Sequence, residues 1–337
     1  MRMNRRHAIS TVSKVLLGCA LIYSPSNLAS GRLKIDVTSF GAKGDGKKDD
    51  SAAVRAALKT APDILHFPTG NYCIDSVEID LNGVTIDAPN ATFINNSEGK
   101  PAFSVSAGSK VMQSSIVVGG YKCGVNAGYF LELCGGLVSD CVINVRQAII
   151  KSPVGGVIRH YSTQASKGFT EGLYFTNVVG HRWTNAAKKA SVPMIDIASN
   201  FNTFSACNIS VRDIRLLSSS VFFRAICSSS KGAAFNQIKL HDLSIEKSEF
   251  GAIRFEGARM SGIENVGFFD LKGFKITCPL IVFLGTPQKN VASGYYCRDV
   301  FRATTSFTSE GCDLLVNKNS VTISNYIAVG GLLVREA

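Results

Sequence analysis

The chain has 337 residues, of which 45% are hydrophobic, 18% are charged and 31 are glycine. This composition excludes a disordered chain, a coiled coil and a collagen-like repeat, and a chain of this length can bury a large core. The 36 basic and 25 acidic residues give a net charge of +11. Such a surplus favours an anionic partner: nucleic acid, acidic lipid or acidic polysaccharide. Because the sequence has no dense basic run with interleaved aromatic residues, we expect no nucleic-acid partner.

The first thirty residues have the pattern of a secretory signal peptide. Met1–Lys14 carries four basic residues and no acid, Val15–Tyr23 is apolar, and small polar residues follow. The apolar run is far shorter than the ~20 residues that a membrane span needs, so we expect no stable membrane span. The pattern predicts cleavage near Ala29 or Ser30 and a secreted or periplasmic protein, exported by the Sec route or, given an arginine pair in the basic region, by the twin-arginine route.

The segment that follows predicts one short helix between strands. Leu33–Val37 alternates and is β-branched, which is typical of a strand. A glycine-rich turn, Gly41–Gly46, precedes a predicted helix over Asp50–Lys59 that Asp49, Asp50 and Ser51 can cap. The helix ends before a proline at position 62, and strands are predicted over residues 64–67 and 72–74.

Beyond residue 74 the sequence predicts short strands and no further helix. The runs are Val84–Ile86, Ser115–Val118, Leu137–Val145, Gly172–Val179, Asn208–Leu217, Gln237–Ile245 and Gly267–Ile276. Five of them contain an Asp or Asn followed by an apolar residue, 28 to 37 residues apart: Asp140, Asn177, Asp213, Asp242 and Asp270. Periods of this length made of strands indicate a solenoid. We expect these five side chains at one corner of successive coils, where Asp and Asn tolerate a left-handed conformation.

Residues 35–74 carry a specific family resemblance. Ile35–Ser51 (IDVTSFGAKGDGKKDDS), the Ala-rich helix and Leu65–Tyr72 (LHFPTGNY) resemble the opening motif of the pectate-lyase superfamily. The resemblance implies an all-β fold: a single-stranded right-handed parallel β-helix (solenoid) with a short N-terminal capping α-helix. Polygalacturonase relatives, exopolysaccharide-degrading enzymes and phage tailspikes share this fold.

The resemblance also implies a domain plan and a set of structural residues. We expect a signal peptide over residues 1–30, the opening motif with its capping helix over 31–74, and parallel coils with loops over 75–337. The matching residues are implied to shape the start of the fold and not to act in catalysis: Gly41, Asp45, Gly46, Asp49, Asp50, Pro68, Gly70 and Tyr72.

Aligning the repeats on their Asp or Asn predicts an outer stripe of charged side chains four to six residues further along each coil. Its members, which we take as candidate catalytic or substrate-binding residues, are Arg146, His181, Arg182, Trp183, Glu246, Lys247 and Lys275. Neighbouring coils lie ~4.8 Å apart, so such side chains could hold successive sugars, with Trp183 stacking on a ring. Arg159, His160 and Tyr161 form a second candidate substrate-binding cluster, predicted to lie in a loop.

Two chemistries remain open for these residues. A lyase needs a base, for which His181, Lys247 or Tyr161 are candidates, and a cation beside the developing enolate, such as Arg146 or Arg182. A hydrolase needs two carboxylates, and the candidates are Glu246, Glu249, Glu256 and Asp196. The excess of cations in the stripe favours β-elimination on an acidic polysaccharide.

The sequence departs from the family's hydrolytic pattern. Of the polygalacturonase motifs, Gly180-His181 and Ile238-Lys239 match only in part, and the paired acid upstream of His181 is absent. A non-catalytic glycan-binding or adhesion β-helix and a tailspike-like protein therefore remain alternatives. The resemblance implies that Ca2+ is used by many relatives, and calcium ligands can come from distant coils, so the sequence leaves the metal and the oligomeric state open.

Overall fold

The computed structural model describes most of the chain after its first thirty-one residues. The described residues are 32–106, 108–161, 169–182, 192–199, 205–217, 221–227, 235–246, 251–269, 278–284, 294–303, 312–316 and 321–336. The predicted signal peptide, Trp183, Lys247, Glu249, Asp270 and Lys275 lie outside them. Leu33–Ala337 forms one unit by its internal contacts.

The described residues form twenty-seven strands, one α-helix and one 3-10 turn. The helix, α1, spans Ser51–Leu58, and the 3-10 turn spans Val37–Phe40. The strands are β1 (Lys34–Asp36), β2 (Asp45–Asp49), β3 (Ile64–His66), β4 (Gly70–Cys73), β5 (Val77–Glu78), β6 (Leu81–Asn82), β7 (Thr85–Asn95), β8 (Phe103–Ser106), β9 (Lys110–Met112), β10 (Ser115–Cys123), β11 (Leu131–Cys134), β12 (Leu137–Val145), β13 (Gln147–Ile150), β14 (Ile158–Tyr161), β15 (Phe169–Arg182), β16 (Ile195–Ser199), β17 (Ser205–Leu217), β18 (Phe223–Cys227), β19 (Phe235–Glu246), β20 (Ile253–Glu256), β21 (Ala258–Arg259), β22 (Gly262–Phe269), β23 (Ile281–Leu284), β24 (Tyr295–Arg302), β25 (Leu314–Val316), β26 (Val321–Ala328) and β27 (Val334–Glu336).

These strands build two parallel sheets. In the described ranges, ten short strands stack in the order β5, β8, β11, β14, β16, β18, β20, β23, β25 and β27 to form what we call sheet 2. The other seventeen strands form sheet 1, in which β15 pairs with β17 and β17 pairs with β19, all parallel. The chain therefore alternates between the sheets, and each turn adds a rung to both. The predicted all-β class with parallel sheets is confirmed.

The core lies between the two sheets because side chains alternate in direction along each strand. In sheet 2, Leu131, Leu133 and their equivalents on later coils point inward and are buried. Aromatic rings stack along the interior: Phe255 lies parallel to Phe283, with ring centroids 5.5 Å apart. Outward positions of the same short strands carry charged residues such as Glu132 and Arg159 and, on later coils, apolar residues such as Val282 and Leu315.

The opening motif folds as a compact cap. Ala53, Val54 and Ala57 on α1 are buried in the core, as the helical spacing predicts. The predicted capping by the Asp50 side chain is wrong: its buried carboxylate accepts the Lys43 and Gly44 N–H groups and makes no hydrogen bond to the helix. The Asp49 carboxylate takes the capping role by accepting the Ser51 N–H at 2.9 Å.

The other matching residues of the motif make local contacts. The glycines at 41 and 46 have φ of +94° and +72°, a region that favours glycine. Asp45 accepts the N–H groups of residues 47 and 48, and the Tyr72 hydroxyl donates to the Pro68 carbonyl at 3.0 Å. A Cβ at Gly70 would lie 2.9 Å from the Gly44 carbonyl oxygen, so this close approach requires glycine.

Two lines of left-handed residues bend sheet 1 into facets. The first corner contains Gln113, Asp140, Gly172, Asn208, Gln237, Met260 and Gly294, and the second contains Asp213, Asp242, Asn265, Asp299 and Asn325, all with φ between +47° and +67°. The predicted left-handed conformation is confirmed at Asp140, Asp213 and Asp242. The prediction of a single corner is wrong for Asp140, whose flanking residues pair with those of Gly172 on the first corner.

Candidate functional site

The outer face of sheet 2 carries a row of charged side chains, one on each of five successive coils. Strand register places these residues directly opposite one another in the order Glu132, Arg159, Asp196, Arg224 and Arg254. Each lies between two inward-pointing neighbours, so strand alternation turns all five outward. We call this row the site column.

Within the site column the charges pair across coils. The Arg224 guanidinium donates two hydrogen bonds to the Asp196 carboxylate, Nε to Oδ1 at 2.8 Å and Nη2 to Oδ2 at 2.6 Å. Arg159 lies between the two acids, with its nitrogens 3.8 Å from Glu132 Oε1 and 3.9 Å from Asp196 Oδ2. Such bidentate and bridging geometry orders the three side chains.

The two carboxylates have different surroundings. The Asp196 side chain is only 3% exposed and is held by arginines. Burial raises the pKa of Glu132, although Arg159 and the Tyr161 hydroxyl, at 3.4 Å, partly oppose that rise. Burial also raises the pKa of Tyr161, whose ring lies 4.5 Å from the Arg159 guanidinium carbon. One carboxyl thus tends toward the protonated form, while the other is ion-paired.

The cluster predicted at residues 159–161 is not a loop. It forms strand β14, so Arg159 and Tyr161 point outward while His160 points into the core. His160 is 1% exposed, and burial lowers its pKa to about 3. The prediction that His160 contacts substrate is therefore wrong, because the alternation of the strand faces it inward.

The predicted outer stripe of sheet 1 does not assemble as the alignment required. The alignment places Arg146 beside His181, but the residue that pairs with His181 is Ile149. Arg146 lies three positions before Ile149, so it is not opposite His181. The backbones of His181 and Arg182 belong to β15. The error arises because Asp140 belongs to the first corner and Asn177 to the second, which shifts the alignment.

Glu246, another residue of the predicted stripe, ends strand β19 and has a half-buried side chain. The residue before it, Ile245, pairs with Leu216 on β17, which in turn pairs with Gly180 on β15. Arg215 donates to the Glu246 carboxylate at 3.1 Å. Glu256, another hydrolase candidate, lies on the outer face of sheet 2 and accepts a hydrogen bond from Arg254 at 2.9 Å.

Sequence reasoning missed Glu132, Arg224 and Arg254. Their signal is a charged residue within a short apolar run, repeated at intervals of about one coil. The five runs are Leu131-Glu132-Leu133, Ile158-Arg159-His160, Ile195-Asp196-Ile197, Phe223-Arg224-Ala225 and Ile253-Arg254-Phe255. Because each strand of sheet 2 is only four or five residues long over this stretch, no single run is conspicuous.

The described residues do not fit a carboxylate-rich calcium site. Among them, no three His, Cys, Asp or Glu side chains come together in a way that could hold a metal ion. No helix within the described ranges is long and apolar enough to cross a membrane.

Residues 34–127 match the family described as rhamnogalacturonase A/epimerase, pectate lyase-like. A 74-residue stretch, 20% of the chain, is 46% identical to Alpha-1,3-galactosidase A of Peterkaempfera griseoplana and spans only 10% of that protein. The described coils form a parallel β-solenoid. The family match at residues 34–127 confirms the pectate lyase-like resemblance that the opening segment carries.

Solved structures resemble the chain at low identity. ORF18 of Geobacillus virus E2 is 12% identical, with a TM-score of 0.46, and the alignment covers 98% of this chain and 66% of that one. The Streptococcus pneumoniae surface adhesin PfbA is 13% identical (TM-score 0.37; 88% and 90% covered). The endo-xylogalacturonan hydrolase of Aspergillus tubingensis is also 13% identical (TM-score 0.35; 88% and 93% covered). At these TM-scores the solved structures support no inference about the activity of this chain.

Proposed function

We propose that this protein is an exported glycoside hydrolase that cleaves an acidic polysaccharide on the outer face of sheet 2. In this proposal the coils form a single right-handed parallel β-helix. Glu132 is the general acid and Asp196 is the general base. Arg159 orients both carboxyl groups and contacts the substrate.

The observation that carries the proposal is the placement of two buried carboxyl groups on either side of Arg159. Hydrolysis of a glycosidic bond needs one protonated and one ionised carboxyl group on a single face. Burial favours the protonated form of Glu132, whereas Asp196 accepts two hydrogen bonds from the Arg224 guanidinium. Two carboxyl groups in such different surroundings are suited to separate acid and base roles.

The spacing of the two acids favours a single displacement. Glu132 and Asp196 are two rungs apart in the column, which is about 9.6 Å between their backbones at the usual strand spacing. Inverting glycosidases hold their carboxyl groups ~6.5–9.5 Å apart to leave room for a water. Glu132 would protonate the leaving oxygen while Asp196 takes a proton from the water that attacks the anomeric carbon.

Hydrolysis is favoured here over the β-elimination that the sequence suggested. The site column supplies two acids. Tyr161, which lies beside the column and is a candidate base for elimination, has its pKa raised by burial, and this keeps it protonated. The name of the α-1,3-galactosidase relative and the family match support a carbohydrate substrate. The net charge is +11, of which the predicted signal peptide supplies four, and the remaining surplus together with three arginines on the face supports an acidic substrate.

The test compares three variants of the purified protein on a panel of acidic polysaccharides. Glu132→Gln and Asp196→Asn should each lower the release of reducing ends by about 100-fold or more, the scale of general acid–base catalysis. Glu264→Gln is the matched control, because Glu264 pairs with Arg298 on sheet 1, away from the site column. Unchanged activity in Glu132→Gln, with retained folding by circular dichroism, would overturn the assignment.

A further inference from the structure

A pocket opens on the outer face of sheet 2 beside the end of the site column. It has a volume of about 390 Å³ and is lined by Arg224 and Arg254 on adjacent coils. Its other walls include Ile226, Val282 and Leu315. The pocket therefore combines two guanidinium groups with an apolar surface.

The two arginines are not neutralised equally. Arg224 is committed to Asp196 through both of its hydrogen bonds, and Asp196 raises the pKa of Arg224. Arg254 donates from Nη2 to Glu256, two residues away on the same strand. Its Nε atom is buried and has no hydrogen-bond partner among the described residues.

The adjacent guanidinium groups and the unpartnered Nε atom suit an anionic ligand. Like charges directly opposite one another on neighbouring strands are destabilising. A buried polar group without a partner costs about 1–3 kcal/mol, which a ligand oxygen can offset. A planar guanidinium fork fits a carboxylate or a sulfate group, and apolar walls can cover the carbon face of the ring that carries it.

We propose that this pocket is an anion subsite that binds the carboxylate or sulfate group of one sugar of the substrate, with Arg254 as its main donor. The inference rests on the proposed function, because it takes the polysaccharide to lie along the site column. Arg224 is one rung beyond Asp196, and Arg254 is two rungs beyond it. The acidic group is therefore recognised on a neighbouring sugar and not on the ring whose bond breaks. The substrate is accordingly a polymer in which an acidic sugar follows the cleaved linkage.

The experiment separates binding from cleavage by working in the Glu132→Gln background. Isothermal titration calorimetry measures the affinity of three probes: an oligogalacturonate, a sulfated galacto-oligosaccharide and a neutral galacto-oligosaccharide. The Glu132→Gln protein should bind one anionic probe more tightly than the neutral probe. The anionic probe that binds more tightly shows whether the subsite takes a carboxylate or a sulfate group. Adding Arg254→Gln should weaken the affinity for that anionic probe by about tenfold or more, equivalent to about 1.4 kcal/mol. The affinity for the neutral probe should stay unchanged.

Two further variants keep the result interpretable. Arg254→Lys retains the charge but not the fork and should recover only part of the affinity. Arg298→Gln removes an exposed, ion-paired arginine of sheet 1 and should not alter binding. Equal affinity for the anionic and neutral probes, or anionic affinity that survives Arg254→Gln, would overturn the subsite. Cleavage that persists in Glu132→Gln while Arg254→Gln abolishes anion binding would instead overturn only the hydrolase assignment.

Discussion

Arg224 and Asp196 face each other across neighbouring coils, and one guanidinium donates to both oxygens of one carboxylate at 2.8 and 2.6 Å. The Asp196 side chain is 3% exposed, whereas that of Arg224 is 34% exposed. The carboxylate is therefore largely shielded from bulk solvent, whereas the guanidinium is partly exposed to it. The buried Asp196 carboxylate therefore needs the ion pair to offset its lost hydration more than the partly exposed Arg224 does.

This asymmetry predicts the effect of breaking the pair. Arg224→Gln should destabilise the protein by about 3 kcal/mol or more, because it removes the two guanidinium donors from a buried carboxylate. The double variant Arg224→Gln/Asp196→Asn should recover much of that loss, because the buried charge is gone. Urea unfolding measures both. A double variant no more stable than Arg224→Gln would show that the charge of Asp196 is not what the arginine compensates.

Glu132 should set the alkaline limb of the activity profile. Its pKa is raised by burial above the ordinary glutamate value of 4.5, so the acid stays protonated to a higher pH. Arg159 opposes that rise, so Arg159→Gln should raise the pKa of Glu132 and move the limb to still higher pH. The pH dependence of kcat/KM measures this. A limb that stays in place or moves to lower pH in the variant would contradict the role of Glu132.

His160 should make the protein less stable in acid. The folded chain keeps this buried imidazole neutral down to a pKa of about 3, against 6.5 for an exposed histidine. Between these values the unfolded chain binds more protons, so stability is complete above about pH 6.5 and falls as the pH drops toward 3. The loss approaches roughly 1.4 kcal/mol per pH unit.

The matched variant for this prediction is His160→Leu, which keeps an inward side chain but cannot titrate. Its unfolding free energy, measured in urea at several pH values, should depend less steeply on pH than that of the unsubstituted protein. The difference in slope should correspond to about one bound proton. Parallel pH profiles for the two proteins would show that His160 is not the group responsible.

The first corner predicts a stabilising substitution. Met260 is an exposed residue with φ of +47°, and Gly294 occupies the same corner on the next coil with φ of +60°. Met260→Gly should raise the melting temperature, since glycine adopts this conformation without strain; the gain is about 0.5–1 kcal/mol. Met260→Val should lower it, because a β-branched residue resists a positive φ. A destabilising Met260→Gly would contradict this account of the corner.

The sequence predicts sheet 1 far better than sheet 2. The predicted strand Leu137–Val145 coincides with β12, and the helix over Asp50–Lys59 differs from α1 only at its two flanking residues. These elements are long, or they carry strong turn and capping residues. Strands β14 and β18 are only four and five residues long, and their outward arginines interrupt an otherwise apolar run.

The candidate site escaped sequence reasoning for the same reason. Asp196, Arg159 and Tyr161 were each identified as candidates, yet nothing local shows that the first two are adjacent in space. Adjacency comes from the register of coils that differ in length: residues 132, 159 and 196 are paired although their separations differ. Aligning repeats on Asp and Asn could not find this register, because the chain has two left-handed corners five residues apart on each later coil.

Time-resolved proton NMR of the products from the first acidic polysaccharide that the protein cleaves tests the central claim most directly. Hydrolysis by Glu132 and Asp196 predicts saturated ends whose new anomeric proton first appears in the configuration opposite to that of the substrate and then equilibrates. An unsaturated end, seen by its vinyl proton and ultraviolet absorbance, would contradict hydrolysis and restore the elimination mechanism. A first product of retained configuration would contradict the single displacement that the two-rung spacing predicts.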